Sequence, residues 1–250
     1  MTSSSATKRI AIIGASSGLG ESVALDFASR GWQVAIAARR DDRLREIDAR
    51  APGGNIIWEQ IDVTAPDCVD RFALLIERLG GVDTVLLCAG VGYQDPDATD
   101  SILVNTLEVN CVGFARLITA AYHHFLRSGT PGQIAVITSI AGTKGIGISA
   151  AYSASKRFES TYIDALDQLA RTRRADICFT DIRPGFIRTA LLSDSRRYPL
   201  EMTVAYASRC IVRAILRRRR VVIIDWRWRI IVALWRLIPR PIWRRLRLNL

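Results

Sequence analysis

The chain has few of the residues that build metal sites and disulfide frameworks. It contains two histidines and five cysteines, which are Cys68, Cys88, Cys111, Cys178 and Cys210. An odd number of widely spaced cysteines without a C-x-x-C pair argues against disulfides or zinc and is typical of a reducing compartment. His123 and His124 have no third ligand at a suitable spacing, so we predict surface or interface residues and no metal.

The N-terminal stretch lacks the features of a secretion signal, and most of the chain lacks the basic charge of nucleic-acid-binding proteins. The first ten residues, MTSSSATKRI, have no apolar core, so we expect no secretion signal and a cytoplasmic protein. The formal net charge is +11, but residues 209–250 hold 13 arginines, no lysine and one acid, for a local charge of +12. The rest of the chain sums to −1, which argues against a nucleic-acid-binding domain.

Short apolar runs alternate with segments of helical periodicity. The runs predict strands at 9–13, 33–38, 55–61, 83–89, 132–138, 176–182 and 221–224. The periodic segments predict helices at 18–30, 41–50, 66–79, 99–126, 150–172 and 201–217. Such alternation predicts an α/β fold, a doubly wound parallel sheet of about seven strands with helices on both faces. We expect one domain over 1–224 and an Arg/Trp-rich extension over 225–250.

The first predicted strand runs directly into a glycine-rich turn, GASSGLG at 14–20. Glycine permits a tight turn and a close approach to a ligand, and a helix N-terminus favours an anion. After the first strand of an alternating chain, this turn predicts a dinucleotide site. The alternative is a plain strand–helix turn that uses glycine for its geometry. The predicted cofactor contacts here are Gly14, Ser16, Ser17, Gly18, Leu19 and Gly20.

The end of the second strand, AARRDD at 37–42, bears on the identity of the nucleotide. A carboxylate there binds the ribose hydroxyls of NAD, whereas a basic group accepts the 2′-phosphate of NADP. Arg39 and Arg40 favour NADP(H), with Arg39 as the main phosphate ligand. Asp41 keeps NAD(H) open as the less favoured cofactor, although it also suits the cap of the next helix. Alternatively, both arginines are solvated charges at the start of that helix.

A further set of residues follows the later strands in a fixed order. Ser139 ends the fifth predicted strand, and YSASK places Tyr152 and Lys156 one helical turn apart. With GASSGLG, Asp62-Val63, CAG at 88–90, Asn110 and Pro184-Gly185, the chain resembles the short-chain dehydrogenase/reductase family over residues 8 to about 224. Cys88 stands where that family usually has asparagine, and Ile13 where threonine is common. Neither departure removes a catalytic group, and we expect Cys88 to affect stability rather than activity.

The resemblance implies that Tyr152 is the general acid in carbonyl reduction and the base in alcohol oxidation. A free phenol has a pKa of about 10, and an adjacent ammonium favours the phenolate. Lys156 would supply that charge and bind the nicotinamide ribose, Ser139 would bind the substrate oxygen, and Asn110 would hold a relay water. The other implied cofactor contacts are Asp62, Val63, Ala89, Gly90, Tyr152, Lys156, Pro184, Gly185, Ile187 and Thr189.

The C-terminal extension, DWRWRIIVALWRLIPRPIWRRLRLNL, is not explained by this resemblance. Residues 226–238 predict a helix of 13 residues that ends before Pro239, whereas a bilayer-spanning helix needs about 20 apolar residues. Arg229, Arg236 and Arg240 fall on one side of it, and Trp and aliphatic residues on the other. This pattern predicts a helix lying on an anionic membrane surface. The alternatives are packing on the domain or on a second subunit and, less favoured, nucleic-acid binding.

These features predict an NADPH-dependent reductase of a ketone or aldehyde, on a hydrophobic or lipid-linked substrate at the cytoplasmic face of a membrane. The loop ALLSDSRRYPL at 190–200 would form the substrate lid, with an apolar lining of Leu191, Leu192, Tyr198 and Leu200 and two charges, Arg196 and Arg197. The first alternative is a soluble reductase of small carbonyls or sugars whose tail serves dimerisation. The second is a binding scaffold that retains a nucleotide fold. The family resemblance also implies a homodimer or homotetramer formed through 99–126 and 150–172.

Overall fold

The computed structural model of the protein describes residues 7–189 and 198–246. Its strands are β1 (Arg9–Ile13), β2 (Gln33–Ala38), β3 (Ile56–Gln60), β4 (Thr84–Leu87), β5 (Gly132–Ile137), β6 (Ile177–Arg183) and β7 (Val221–Ile223). They form one parallel sheet in the order β3-β2-β1-β4-β5-β6-β7. The predicted doubly wound sheet is therefore confirmed. The strand order reverses between β1 and β4, and this reversal leaves a crevice at their carboxyl ends.

Helices cover both faces of the sheet. They are α1 (Gly18–Ser29), α2 (Asp41–Arg50), α3 (Cys68–Leu79), α4 (Asp100–Leu107), α5 (Phe114–Ser128), α6 (Ala150–Thr172), α7 (Val204–Leu216), α8 (Trp226–Leu237) and α9 (Arg240–Trp243). Side chains alternate along β1, so that Ile10 and Ile12 join the core cluster of α1, α2, α7 and α8, whereas Ala11 and Ile13 join that of α3, α5 and α6. The two clusters are the cores of the two faces.

The long helix predicted over 99–126 is interrupted in the structure. A π-helical segment, Glu108–Gly113, separates α4 from α5. Such segments insert an extra residue into a helix and occur often at functional sites. Here the segment carries Asn110, which is fully buried. At Gly113 a Cβ atom would lie 2.7 Å from the carbonyl oxygen of Val63, so the segment passes directly over the chain that follows β3.

One described stretch, Asp100–Ser128, has the length and composition of a membrane-crossing helix. In the structure it lies against the sheet, with Phe114, Leu117, Ile118 and Phe125 in the core. Packing within this domain therefore accounts for the apolar residues of α5, whereas Leu103 and Val104 on α4 are exposed.

Candidate active site

The glycine turn after β1 lies against the end of β4. Gly14 has φ +91°, and a Cβ atom on it would lie 2.3 Å from the backbone nitrogen of Ala89. A Cβ on Gly20 would lie 2.3 Å from the carbonyl oxygen of Gly14. The backbone nitrogen of Ala89 also donates a hydrogen bond of 2.9 Å to Ile13. These approaches exclude any side chain, so the glycines set the shape of the turn.

The turn faces the segment that follows β6 across the carboxyl edge of the sheet. At Gly18, with φ +59°, a Cβ would lie 3.5 Å from Cγ2 of Thr189. Pro184, at the start of the same segment, accepts a hydrogen bond of 3.1 Å from the nitrogen of Ile140. Ile187 is buried and pairs with Met202 in an isolated bridge. Residues predicted from separate motifs, around 14–20, 89–90 and 184–189, therefore line one crevice.

Asp62 closes a turn at the end of β3. Its Oδ1 accepts hydrogen bonds from the backbone nitrogen and the hydroxyl of Thr64, at 3.0 and 2.8 Å. Val63 beside it is buried. The turn fixes the Asp62 carboxylate at the same edge of the sheet as the glycines.

Arg40, rather than Arg39, reaches the glycine turn. Its guanidinium donates hydrogen bonds of 2.9 Å to the hydroxyl of Ser16 and 3.0 Å to that of Ser17. Arg39 is exposed, and its carbonyl oxygen accepts a hydrogen bond of 2.9 Å from Gln60. Two residues predicted to contact the cofactor therefore contact Arg40, which places its positive charge beside the N-terminus of α1.

Lys156 occupies the centre of the predicted catalytic set. Its Nζ is buried, donates a hydrogen bond of 3.2 Å to the carbonyl oxygen of Ile137 at the end of β5, and lies 5.8 Å from the centroid of the Tyr152 ring. Gly142 packs on the α6 backbone at Lys156, because a Cβ there would lie 2.7 Å from the Lys156 carbonyl. Ser139 caps this loop by accepting a hydrogen bond of 3.1 Å from Ala141.

Glu159 also contacts Lys156. Its two carboxylate oxygens lie 2.8 and 2.9 Å from Nζ, and both side chains are almost fully buried. Burial lowers the pKa of Lys156, but the Glu159 carboxylate and the neighbouring Tyr152 and Cys88 together hold the pKa above its ordinary value. Burial raises the pKa of Glu159 to about 7, against the opposing effect of the ammonium.

Asn110 is held by three hydrogen bonds. Its amide donates to the carbonyl of Val91 at 2.8 Å and to the hydroxyl of Ser155 at 3.0 Å, and its Oδ1 accepts from the nitrogen of Val91 at 2.8 Å. A Cβ atom at Gly90 would lie 3.3 Å from both Asn110 Oδ1 and Lys156 Nζ. The predicted relay asparagine and the lysine thus both lie beside the Cβ position of Gly90.

Two thiols lie near this group. Burial raises the pKa of Cys88 and that of Cys111 to about 11. Both are therefore neutral near pH 7 and lack the thiolate that a nucleophile needs.

The C-terminal extension packs on the loops that carry the predicted site. Asp225 begins α8 by accepting a hydrogen bond of 2.9 Å from the nitrogen of Arg227. Trp228 is 3% exposed, contacts Gly185 and lies edge-to-face with Phe186 at a centroid distance of 5.7 Å. The indole nitrogen of Trp228 is buried with no hydrogen-bond partner among the described residues. The prediction of a helix ending before Pro239 is confirmed by α8.

Two further tryptophans join the extension to the loop after Ser139. The indole nitrogen of Trp235 donates to the Thr143 hydroxyl at 2.9 Å, and that of Trp243 to the Gly145 carbonyl at 2.7 Å. Lys144 donates to the carbonyl of Ile238 at 2.6 Å. One side of the extension therefore packs within this chain, as one of the alternatives from the sequence had it.

Aromatic side chains continue from the extension towards the predicted lid. Tyr198 is buried and stacks on Phe186, with ring centroids 4.7 Å apart. The Tyr198 hydroxyl accepts a hydrogen bond of 3.0 Å from Gln94. Leu200 lies at partial exposure with φ +51°. The other predicted lid residues, Leu191, Leu192, Arg196 and Arg197, lie outside the described residues.

His123 and His124 lie away from these contacts. They line an open cleft of about 510 Å³ between α3 and α5, together with Arg116 and Arg127. Burial lowers the pKa of His124, and Arg127 lowers it further. No group of three potential metal ligands occurs within 7–189 and 198–246.

The residues present fit a dinucleotide. Gly14 and Gly20 let the turn close on Ala89 and on itself, and the turn leads into the N-terminus of α1, the end of a helix that favours a phosphate. Arg40 adds a fixed positive charge beside Ser16. The crevice thus combines close backbone approach with charge complementary to a phosphorylated ligand.

Two contacts were not anticipated from the sequence. Glu159 follows Lys156 by three positions, and this spacing places two side chains on the same face of a helix. The sequence YSASKRFE shows this spacing, so the contact between Lys156 and Glu159 could have been predicted. Trp228 carried no comparable signal, because its contact with Gly185 depends on how the chain returns to the sheet.

Comparisons with known proteins agree with this arrangement. A sequence model described as short chain dehydrogenase matches residues 8–199. An uncharacterised oxidoreductase of Mycobacterium tuberculosis is 33% identical over 247 residues, which cover 95% of this chain and 96% of that protein.

Two solved structures have similar folds. An alcohol dehydrogenase from the archaeon Thermococcus sibiricus, complexed with 5-hydroxy-NADP, matches with a TM-score of 0.75 and 25% identity over 87% of this chain and 96% of that chain. A short-chain dehydrogenase/reductase from Burkholderia phymatum in complex with NAD has a TM-score of 0.81 and 20% identity, over 91% and 92% of the two chains. The chain therefore belongs to the short-chain dehydrogenase/reductase family and is a nicotinamide-dependent oxidoreductase.

Proposed function

We propose that the protein is an NADPH-dependent reductase that converts a ketone or aldehyde to an alcohol, acting on a hydrophobic or lipid-linked substrate at the cytoplasmic surface of a membrane. The observation that carries the reaction type is the buried Lys156 ammonium, 5.8 Å from the Tyr152 ring at the edge of the glycine-lined crevice. A phenol beside an ammonium is suited to exchange a proton with a substrate oxygen.

Each side chain of the set has a distinct task in this proposal. The Tyr152 hydroxyl donates its proton to the substrate oxygen in reduction and recovers it in oxidation. Ser139 donates a hydrogen bond to the same oxygen and stabilises the charge that develops there. Lys156 orients Tyr152 and binds a ribose hydroxyl, while Asn110 fixes the backbone at Val91 beside the lysine. The nicotinamide cofactor, when bound, supplies the hydride.

The preference for NADPH is supported by the two arginines that follow β2. Arg40 follows β2, where a basic group accepts the 2′-phosphate of NADP, and its contacts with Ser16 and Ser17 hold its guanidinium beside the glycine turn. Arg39 is exposed and free to turn towards the same phosphate. One of the two similar solved structures contains an NADP derivative and the other contains NAD. The preference for NADPH over NADH therefore rests on the two arginines.

The affinities for NADPH and NADH, measured by calorimetry, test the cofactor. We expect tighter binding of NADPH, a loss of at least about tenfold in Arg40→Ala or Arg39→Ala, and little change for NADH. Arg43→Ala is the matched control, because that arginine follows on α2 and pairs with Glu21 and Glu46. Equal affinity for the two cofactors in the wild type would contradict the assignment and favour an NAD-dependent dehydrogenase.

The proposal of a hydrophobic substrate rests on the aromatic lining of the site. Tyr198, Phe186 and Trp228 are in ring contact in that order, followed by Trp235 and Trp243. This row begins at the segment after β6 and ends on the loop after Ser139, where Trp235 contacts Thr143 and Trp243 contacts Gly145. Apolar walls of this kind favour a substrate with an extended hydrocarbon part.

The membrane proposal rests on the outer face of α8. Trp226, Ile230, Leu234 and Leu237 are 66%, 51%, 61% and 78% exposed and fall four, four and three positions apart. They form one apolar stripe on the side opposite the packed Trp228. Exposed arginines, including Arg229 and Arg236, flank the stripe. An apolar stripe bordered by arginine suits the headgroup layer of an anionic membrane.

Sedimentation with vesicles tests this surface. We expect binding to vesicles of phosphatidylglycerol and phosphatidylcholine that weakens with salt and falls at least about tenfold in the double variant Leu234→Glu/Leu237→Glu. Leu74→Glu is the control, because Leu74 is 52% exposed on α3. Equal binding of the double variant and the wild type would contradict the membrane proposal.

A soluble reductase of small carbonyls or sugars, with the outer stripe used in dimerisation, is the second candidate. The observation that favours it is the exposed stripe itself, because an apolar helix face also suits contact with a second subunit. In either candidate we propose a homodimer or homotetramer formed through α4 and α6, which expose Leu103, Val104 and Phe158. Light scattering separates the candidates, because only the second predicts a smaller assembly in Leu234→Glu/Leu237→Glu.

A further inference from the structure

Glu159 is a buried acid that no part of the proposed reaction requires. It is 1% exposed, and its two oxygens lie 2.8 and 2.9 Å from Lys156 Nζ. We propose that Glu159 is a positioning residue of the site, which fixes the Lys156 ammonium and offsets its charge so that Tyr152 stays protonated and acts as an acid. The inference rests on the proposed roles of Tyr152 and Lys156.

The hydrogen bonds of Lys156 account for the positioning. An ammonium has three N–H donors. Within the described structure, Nζ contacts both oxygens of Glu159 and the carbonyl of Ile137, at 2.8, 2.9 and 3.2 Å. These contacts fix the ammonium between α6 and the end of β5. A flexible lysine side chain without these contacts would sample several positions.

Charge compensation follows from the same geometry. An ammonium near a phenol stabilises the phenolate, and this effect decreases when a carboxylate in contact with the ammonium cancels part of its charge. Both members of the pair are removed from water, so screening by solvent is weak. The pair therefore favours the neutral phenol, the form that donates a proton during carbonyl reduction.

Other charged and titratable groups face Glu159 from the neighbouring elements. Asp181 on β6 raises its pKa further, although Asp181 is itself paired with Arg183 at 2.5 Å. Cys88, after β4, and Cys111, in the π-helical segment, also lie within electrostatic range and are neutral near pH 7. Lys156 is thus the one cation among the described residues that directly contacts Glu159.

The test is a titration of the cofactor-free protein that follows the ultraviolet absorbance of tyrosinate. The Tyr152 signal is isolated by subtracting the matching Tyr152→Phe protein from the wild type and from Glu159→Gln. We expect the Tyr152 phenolate to form at a pH lower by about one unit in Glu159→Gln, because the full lysine charge then acts on the phenol. Glu159→Asp keeps the charge and should restore most of the wild-type curve.

The control and the second variant keep the inference falsifiable. Asp164→Asn removes an exposed carboxylate from the same helix and should leave the curve unchanged. Glu159→Met fills a similar volume without charge and replaces Glu159→Gln if that protein does not fold. An unchanged midpoint in the folded neutral variant overturns the inference. The titration involves neither cofactor nor substrate, so a failure of the proposed reaction would leave its result intact.

Discussion

The indole of Trp228 lies directly on the backbone of Gly185, where a Cβ atom would come within 2.2 Å of Nε1. Gly185 belongs to the segment after β6 that faces the glycine turn, and Trp228 belongs to the C-terminal extension. The extension is therefore in contact with the wall of the proposed cofactor site. A substitution at either residue should therefore affect both the packing of the extension and the proposed cofactor site.

Replacement of Gly185 by alanine tests this contact. The added methyl group would overlap the indole, and the structure would have to shift α8 or the segment after β6. We expect Gly185→Ala to lower the free energy of unfolding by about 1–3 kcal/mol and to weaken NADPH binding. Gly147→Ala, at a glycine with no atom within 4 Å of its Cβ position, should have a small effect. Chemical denaturation and calorimetry provide the two measurements.

Truncation of Trp228 tests whether α8 is an integral part of the domain. Trp228 is 3% exposed and belongs to the core cluster that contains Ile211 and Ile224. Its removal leaves a cavity, so Trp228→Ala should lower the free energy of unfolding by about 3–5 kcal/mol. Trp226→Ala, at a tryptophan that is 66% exposed, should change it by less than about 0.5 kcal/mol. Equal effects in urea denaturation would show that α8 does not pack as described.

The fold followed closely from the sequence because buried parallel strands are nearly continuous apolar runs. The predicted strands and helices occur within three residues of their expected ends, except that the helix predicted over 99–126 is divided into α4 and α5. The π-helical segment at 108–113 did not follow, because its pattern of apolar residues continues that of the flanking helices. α9 lies beyond the predicted stop at Pro239, because proline ends one helix and also suits the start of another.

The contacts within the candidate site could be predicted less completely from the sequence. Arg39 and Arg40 are equivalent in the sequence, and only the geometry after β2 shows that Arg40 reaches Ser16. The sequence predicts that α8 has an apolar side. It does not specify whether that side packs on this domain, on a second subunit or on a membrane. In the structure its apolar residues divide into a packed side around Trp228 and an exposed side around Leu234.

The glycine turn offers a test with a control matched for backbone strain. Gly14 and Gly31 both have positive φ, at +91° and +78°, but only Gly14 has backbone atoms next to its Cβ position. Gly14→Ala should abolish NADPH binding because the turn cannot close on Ala89, whereas Gly31→Ala should cost about 1 kcal/mol of stability and leave binding intact. Binding by Gly14→Ala with wild-type affinity would contradict the proposed cofactor site.

The buried pair should also shape the pH dependence of stability. The pKa of Glu159 is raised from 4.5 to about 7, so its contribution to stability is complete below pH 4.5 and is lost as the pH rises through 7. The raised pKa of Lys156 acts in the same sense, but only as the pH rises above 10.5. Relative to Glu159→Gln, the wild type should lose about 1–3 kcal/mol between pH 4.5 and 7, measured by urea denaturation. A difference that does not vary with pH would show that Glu159 does not titrate in this range.

The most direct test of the proposed reaction is the oxidation of NADPH in the presence of long-chain aliphatic ketones, by the wild type and by Tyr152→Phe. Removal of the phenolic proton should reduce kcat/KM by about a thousandfold, while the Kd for NADPH changes by less than about threefold. Lost turnover with intact cofactor binding would support Tyr152 as the proton donor. Turnover of Tyr152→Phe within about tenfold of the wild type would contradict it.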